Sequence, residues 1–288
     1  GLNAAHMARL DAYEGAFGYT FGPVEVHVGD HTQIAQCYIP PADMVAKDGP
    51  WSLESWEAEH LAPAVLAAEE LFATDPLPDH AQLRAMWPMI EARAWSKHRA
   101  VAGPATRRYA AQPADFDIVA TRPPVGQFFR FQSMDITHRT FAGAQSSVAR
   151  REGFIGVDAS VVLPYDPVRD RILLVEQARL GPKLRHDPNP WSLEPVAGII
   201  DARETPHQAA MRESKEEAGL DIAVLELAGS FYVSPGASTD YFYAYVGLCD
   251  LPQSETYQGG LPDEGEDLRL HTLSFDAAMQ LADSGEID

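Results

Sequence analysis

The stretch GIIDARETPHQAAMRESKEEAGL, from Gly198 to Leu220, sets Glu204, Arg212, Glu213, Glu216, Glu217 and Gly219 at short fixed spacings behind a glycine. Thr205 followed by Pro206, with Gln208 three residues on, reads as a helix start: Thr as N-cap, Pro in the first helical position, Gln closing a capping box. The helix is therefore predicted from about Pro206, and Gly219, free to turn left-handed, ends it near Ala218. Glu213 and Glu217 are four apart and Glu216 is three from Glu213, so all three carboxylates share one side of the helix. Like charges so placed destabilise a helix by roughly 0.2–0.5 kcal/mol per pair, and by more where the face is partly buried. A hard divalent cation removes the conflict. Mg²⁺ takes oxygen ligands, keeps some of its waters and completes its shell with substrate phosphate oxygens. The competing reading is a solvated, charged helix face.

These residues resemble the Nudix box, the metal-binding signature of enzymes that hydrolyse a nucleoside diphosphate linked to another group. Seven positions agree with its pattern: Gly198, Glu204, Arg212, Glu213, Glu216, Glu217 and Gly219. Chance agreement is on the order of 10⁻⁸ per starting point at a background near ~7% per residue type. Ser214 departs from it, since the family usually has an aliphatic residue there; this is expected to soften the packing of the helix without touching a ligand. The resemblance implies that Glu213, Glu217 and Glu216 hold the metal, Mg²⁺ or Mn²⁺, and that Arg212 orients the glutamates.

At 288 residues the chain predicts two domains, each large enough to bury a core. A formal charge of −20 argues against a nucleic-acid or anionic-membrane surface, which would need basic patches. An enzyme for anionic nucleotides then needs metal ions and local Arg or Lys against a repulsive field. Cys37 and Cys249 alone exclude a disulfide framework or a cysteine zinc site and fit a reducing cytoplasm. No apolar run reaches transmembrane length and no signal-peptide pattern opens the sequence. The chain starts at Gly1 without an initiator Met and reads as the ordered part of something longer.

Along the chain, AHMARLDAYEG reads as the end of a helix, and FGPVEVHVG with TQIAQCYIP as a hairpin turning at Gly29 and Asp30. From Trp51 to about residue 102 the pattern is helical, in two segments split by DPLPD. Gly103 to Asp115 is the best linker candidate. From Phe116 onward short β-like runs dominate: FFRFQSMDITHRTF, VDASVVLPYD, RILLVEQARL, SLEPVAGII, then, after the box helix, AVLELAGSFYV, TDYFYAYVGL and LRLHTLSF, with a last helix from about Phe275. Strands alternating with two helices predict an α/β class, a sandwich with a mixed sheet, and the family resemblance implies that it is the Nudix α/β/α sandwich, preceded by a smaller α+β and helical region. The expected domains are 1–112, a hairpin plus helical segment, and 113–288, the hydrolase.

Outside the box, Arg179 in VEQARLG ends an apolar strand, where a guanidinium can clamp phosphate in a bidentate way; a surface salt bridge is the alternative. Glu194 in SLEPVAG lies three before Ala197. It faces the same rim if the strand reaches the loop, or else it is a partly buried Glu paired with an Arg. The family resemblance makes the Ala197 carbonyl a metal ligand. Pro235 in YVSPGAS follows Gly219 by sixteen residues, an offset that resembles the ADP-ribose pyrophosphatase subgroup. QGGLPDEGEDLRL, with Gly259, Gly260, Pro262 and Gly265, reads as a mobile loop carrying Asp263, Glu264, Glu266 and Asp267. A carboxylate there can close over a diphosphate and take a proton from water. The loop resembles the ExED loop of those enzymes, in which Glu264 matches the base and Glu266 the neighbour that assists or binds metal. An acidic surface loop is the bland alternative.

From about residue 116 to 288 the chain resembles ADP-ribose pyrophosphatase-type enzymes, particularly a two-domain bacterial subgroup associated with tellurite resistance, through LPYDPVRDRILLVEQ, NPWSLEPVAGIID and GEDLRLHTLSF. Relatives continue past a segment like SGEID into another helix. LDAYEGAFGY is similar to the end of a γ-glutamylcyclotransferase-like domain, with Glu14 at the acid/base position and Tyr19 following; a structural remnant is the favoured reading. The resemblance implies hydrolysis of ADP-ribose to AMP and ribose 5-phosphate by a cytoplasmic homodimer whose N-terminal strands cross between subunits. GDP-mannose is the rival substrate, and a non-catalytic nucleotide sensor the rival class.

Overall fold

A computed structural model describes residues 2–44, 50–101, 103–261 and 265–287. The chain forms two compact units, Gly1–Ile155 and Gly156–Asp288.

In the first unit, α1 (Ala4–Ala16) leads into the antiparallel hairpin β1 (Thr20–Val28) and β2 (His31–Ile39), turning at Gly29 and Asp30 as the sequence predicts. A helical run follows through α2 (Leu53–Trp56), one wider π turn over Glu57–Leu61, and α3 (Ala62–Phe72). Asp79 caps α4 (His80–Arg99) with a full capping box closed by Gln82. Leu71, Leu83 and Ile90, all but completely buried, fill the contact between α3 and α4, and Tyr13 and Phe17 of the α1 end pack edge-on against Trp87.

The sheet β3 (Phe116–Thr121), β4 (Arg130–His138) and β5 (Ala149–Ile155) belongs to this unit. Arg93 of α4 donates to the Glu70 carboxylate of α3 at 2.8 Å and to the Phe128 carbonyl at 2.7 Å, and Arg130 of β4 donates to Thr74 Oγ1 at 2.9 Å. Both arginines are buried, and burial pushes the Arg130 guanidinium below its usual pKa. A buried charged network of this kind ties the helices to the sheet, and breaking it leaves an uncompensated charge. The stretch 103–115 thus lies inside the first unit, carrying the chain from α4 to β3.

In the second unit, eight strands among the described residues form one sheet. They are β6 (Asp158–Asp166), β7 (Arg171–Ala178), β8 (Trp191–Glu194), β9 (Val196–Ile199), β10 (Val224–Tyr232), β11 (Tyr241–Leu248), β12 (Thr256–Gly259) and β13 (Leu268–Ser274). The order is β10-β11-β6-β7-β13-β12. β11 runs parallel to β6 and the other neighbours pair antiparallel, so the sheet is mixed as expected. β6 and β7 pair only at Tyr165–Ile172 and Asp166–Arg171 and then splay. β9 pairs with β6 and β8 with β7. That splay brings Glu194, Ala197 and Gly198 to the helical face. A short helix α5 (Leu180–Leu184) follows β7.

Helix α6 (Pro206–Ala218) covers one face and α7 (Phe275–Ser284) the other, completing the α/β/α sandwich. The period-two alternation of β7 divides its residues between them. Leu173 and Val175 join Val162, Val196, Leu268, Leu270 and Ala210 under α6, while Ile172 and Leu174 join Ala278 under α7. Burying an aliphatic side chain fully stabilises by roughly 1.5–3 kcal/mol, so the sheet holds α6 firmly.

Candidate active site

Helix α6 starts and stops where the sequence places its signals. Thr205 Oγ1 accepts from Gln208 N–H, the Gln208 side chain accepts from Thr205 N–H, and Gly219 adopts φ +68°. Ser214 is fully buried, and its hydroxyl donates to the Ala210 carbonyl at 2.8 Å. The departure from an aliphatic residue is thereby satisfied within the helix.

Glu217 is 3% exposed, and its carboxylate accepts the Ala197 N–H at 3.3 Å. Glu213, one turn earlier, points at Gly198: a Cβ on that residue would come within 1.9 Å of Glu213 Oε1. The first glycine of the box is therefore required for space. Burial pushes the Glu213 carboxyl up to about 7, with Arg212 opposing and Glu216 and Glu266 reinforcing the shift. Burial pushes Glu217 up to about 8, helped by the charges of Glu213 and Glu266 and opposed by the Ala197 N–H and Arg179.

Arg212 is the hub. Its guanidinium donates to both Glu204 oxygens at 3.0 and 2.9 Å, to Glu213 Oε1 at 2.6 Å, to Glu216 Oε2 at 2.9 Å and to the Ile199 carbonyl at 3.0 Å. Hydrogen bonding to Glu204 leads the causes that raise its pKa, so it is permanently charged. Glu204 in turn accepts the Asp201 N–H at 3.2 Å. Glu204 thus holds the guanidinium from the side away from the helix glutamates, and its spacing of eight from Arg212 is the signal for that contact in the sequence.

At the rim, Arg179 and Glu194 pair with each other, Nε to Oε1 at 2.8 Å and Nη2 to Oε1 at 2.7 Å. The Arg179 charge reaches Glu217. Glu266 accepts the Leu261 N–H at 3.1 Å, and its charge is felt by Glu213 and Glu217. Glu264, with Pro262 and Asp263, lies outside the described residues. Pro235 stands in an exposed turn closed by Ser238 N–H to the Ser234 carbonyl at 2.8 Å. That turn precedes Thr239 and Asp240, which accept the N–H groups of Gly156 and Val157 ahead of β6. Glu14 sits in the last turn of α1, in the first unit, where burial raises its pKa.

The donors suit a hard cation: oxygens only, among them the buried Glu217 and the partly buried Glu213 carboxylates, which repel each other and are driven toward protonation without a counter-charge. As the side chains stand, no three His, Cys, Asp or Glu among the described residues converge on one point; Arg212 holds Glu213 and Glu216 to itself. A cavity of about 380 Å³ lined by Glu176, Trp191, His271 and Leu281 lies on the α7 side and includes none of these residues.

The family model described as NUDIX domain matches residues 156–286. The ADP-ribose pyrophosphatase of Haemophilus influenzae is 35% identical over 176 residues, 60% of this chain and 81% of that protein. The ADP-ribose pyrophosphatase of Escherichia coli strain K12 is 38% identical over 174 residues, 60% of this chain and 82% of that protein. The GDP-mannose pyrophosphatase of Salmonella arizonae is 28% identical over 138 residues, 48% of this chain and 71% of that protein. The first two matches are longer than the second compact unit, so the likeness runs back into the first.

Proposed function

The chain belongs to the NUDIX family of hydrolases, and from that premise we propose that it is a metal-dependent diphosphatase of nucleoside diphosphate sugars that cleaves ADP-ribose to AMP and ribose 5-phosphate. The observation that carries this is the Glu213–Glu217 pair on one side of α6, Glu217 buried, and Glu213 fitted against Gly198 of β9 and held by Arg212. The names of its relatives at 35% and 38% identity support the substrate.

Glu213, Glu217 and Glu216, with the Ala197 carbonyl, would hold Mg²⁺ or Mn²⁺. The cation, when bound, polarises the diphosphate and lowers the pKa of the attacking water. Arg212 keeps the glutamates oriented and offsets their charge. Arg179, on the rim beside Glu217, meets the anionic diphosphate, with Glu194 fixing the guanidinium until it does. Pro235 shapes the turn on the substrate side. Glu264 takes the proton from water as it attacks phosphorus, and Glu266 assists.

A hydrolase domain beginning near residue 113 is supported by matches that reach back into the first unit; residues 1–112 are then the γ-glutamylcyclotransferase-like remnant. A homodimer is supported by Phe116, Ile118 and Phe131, each about half exposed or close to it on the β3–β4 sheet. The net charge of −20 supports a small-molecule rather than a nucleic-acid partner. Among the described residues no helix is long and apolar enough to cross a membrane. The free Cys37 and Cys249 support a reducing cytoplasm, and we assign the tellurite-resistance association to its biology rather than its chemistry.

GDP-mannose is the second reading, favoured by the likeness to the Salmonella arizonae enzyme. A panel of nucleoside diphosphate sugars incubated with the protein and Mg²⁺ or Mn²⁺, with products separated by chromatography, decides between them. ADP-ribose is expected to turn over fastest. Binding without cleavage of any member would overturn the enzymatic reading in favour of a sensor.

A further inference from the structure

The sequence presents Gly259 and Gly260 as loop glycines, yet each meets the helix that carries the glutamates. The last carbonyls of a helix lack partners within it. Gly219 N–H and Leu220 N–H satisfy those of Lys215 and Ser214, each at 3.0 Å, while the carbonyl of Glu217 accepts the Gly260 N–H at 2.9 Å. A Cβ on residue 259 would lie 2.1 Å from that same Glu217 oxygen, so a side chain there pushes the two apart. Gly260 has φ +87°, a conformation that L side chains rarely adopt. A Cβ on it would also meet Leu268 Cγ at 2.9 Å and Glu266 Cβ at 3.0 Å. The next amide, Leu261 N–H, donates to the Glu266 carboxylate at 3.1 Å, and Glu266 N–H returns a bond to the Leu261 carbonyl at 3.3 Å.

Two consecutive peptide N–H groups thus bond to two different glutamates, that of Gly260 to the main-chain carbonyl of Glu217 and that of Leu261 to the carboxylate of Glu266. We propose that the amides of Gly260 and Leu261 are positioning groups of the hydrolytic site, holding Glu266 in register with Glu217, with Gly259 supplying the clearance that lets them approach. The inference rests on the hydrolase reading above. Glu217 is then gripped at both ends, its carboxylate by Ala197 N–H and its carbonyl by Gly260 N–H. β12 ends at Gly259, paired with Leu268 of β13, so the sheet anchors one side of the junction and α6 the other. The chain that carries Glu266 is fixed at its base.

Two measurements test this. Amide exchange read residue by residue on the metal-free wild-type protein should show Gly260 and Leu261 protected by at least about tenfold over an unstructured chain; unprotected amides overturn the proposal. In Gly259→Ala, Mn²⁺ affinity measured by calorimetry and kcat should each fall roughly tenfold or more, with KM for ADP-ribose within about threefold of wild type. A folded G259A protein with wild-type Mn²⁺ affinity and kcat also overturns it. Should G259A fail to fold, the exchange measurement decides. A wild-type protein with protected amides that binds Mn²⁺ but cleaves no nucleoside diphosphate sugar would end the substrate reading and leave the positioning intact.

Discussion

A methyl group on residue 198 would stand 1.9 Å from Oε1 of Glu213 and 2.0 Å from its Cδ, so the glycine of β9 and the glutamate of α6 are fitted to each other. Gly198→Ala must displace the Glu213 carboxylate, and with it the bond to Arg212. Overpacking of this kind costs about 1–3 kcal/mol. Hydrolysis of ADP-ribose by G198A should fall at least about a hundredfold, since a ligand displaced by an ångström no longer holds the cation. Steady-state kinetics beside a thermal melt check both, and near-wild-type turnover would show that Glu213 is not a ligand.

Glu217→Gln separates chemistry from stability. Glu213 and Glu217 are pushed up to about 7 and about 8 by burial, so the folded, metal-free protein holds protons that the unfolded chain has released. That contribution to stability is fully present below about pH 4.5 and is lost as the pH rises through about 7 and about 8. The metal-free melting temperature should therefore decline between these limits, and added Mg²⁺ should raise it most at the alkaline end. In E217Q the decline should flatten while turnover drops at least about a hundredfold. Differential scanning calorimetry across pH, with and without metal, reads the first effect. A wild-type melting temperature that climbs with pH would contradict the burial of these acids.

Helix α6 was legible because its instructions are local: Thr205, Pro206, Gln208 and Gly219 act within a few residues of themselves, and the structure gives Pro206–Ala218. The reason for Gly198 was not, since its contact with Glu213 joins a strand to a helix fifteen residues away. Gly259 and Gly260 look like loop glycines until α6 is placed beside them, for the same reason. Strand β5, ARREGFI, escaped because Arg150, Arg151 and Glu152 are exposed and break the alternation; its pairing with β4 is decided by the fold. Arg179 and Glu194 were each legible as half of an ion pair, but only the pairing of β7 with β8 shows that they are partners.

Arg212 binds four carboxylate oxygens and a carbonyl, a geometry that depends on the planar guanidinium fork. Lysine keeps the charge and loses the bidentate grip on Glu204. Arg212→Lys should reduce kcat roughly tenfold to a hundredfold and destabilise by about 1–3 kcal/mol. Urea unfolding and kinetics on the same preparation measure both, and equal activity in R212K would reduce Arg212 to a point charge.

Asp166 offers a test of stability away from the site. Burial alone would raise its pKa, but it is lowered overall by bonds from the Arg169 guanidinium at 2.6 Å and from the N–H groups of Val168, Arg169 and Leu251 at 3.0, 3.1 and 3.3 Å. Its stabilisation is present above the usual carboxylate range and is lost as the pH falls through a value below 3.8. Asp166→Asn should cost about 1.5–3 kcal/mol at neutral pH with kcat unchanged, and should unfold less steeply in acid than wild type. Urea titrations at pH 7 and in acid measure this; a variant as stable as wild type at pH 7 would show the network to be unimportant.

The Arg179–Glu194 pair distinguishes a phosphate clamp from a salt bridge. With side-chain exposures of 42% and 20%, the pair is partly open to water, and such a pair contributes about 1 kcal/mol or less to stability. Arg179→Ala and Glu194→Gln should therefore each leave the melting temperature nearly unchanged. If Arg179 meets the diphosphate in the complex, R179A should raise KM for ADP-ribose at least about tenfold. E194Q should change it less, because the guanidinium would still be present but less firmly oriented. In the double variant the effect of E194Q should vanish, since Glu194 acts only through Arg179. Equal and additive effects of the two substitutions would instead mean that Glu194 contacts the substrate independently. No effect of R179A on KM or kcat would leave the pair as surface structure and return the task of binding the diphosphate to the metal helix alone.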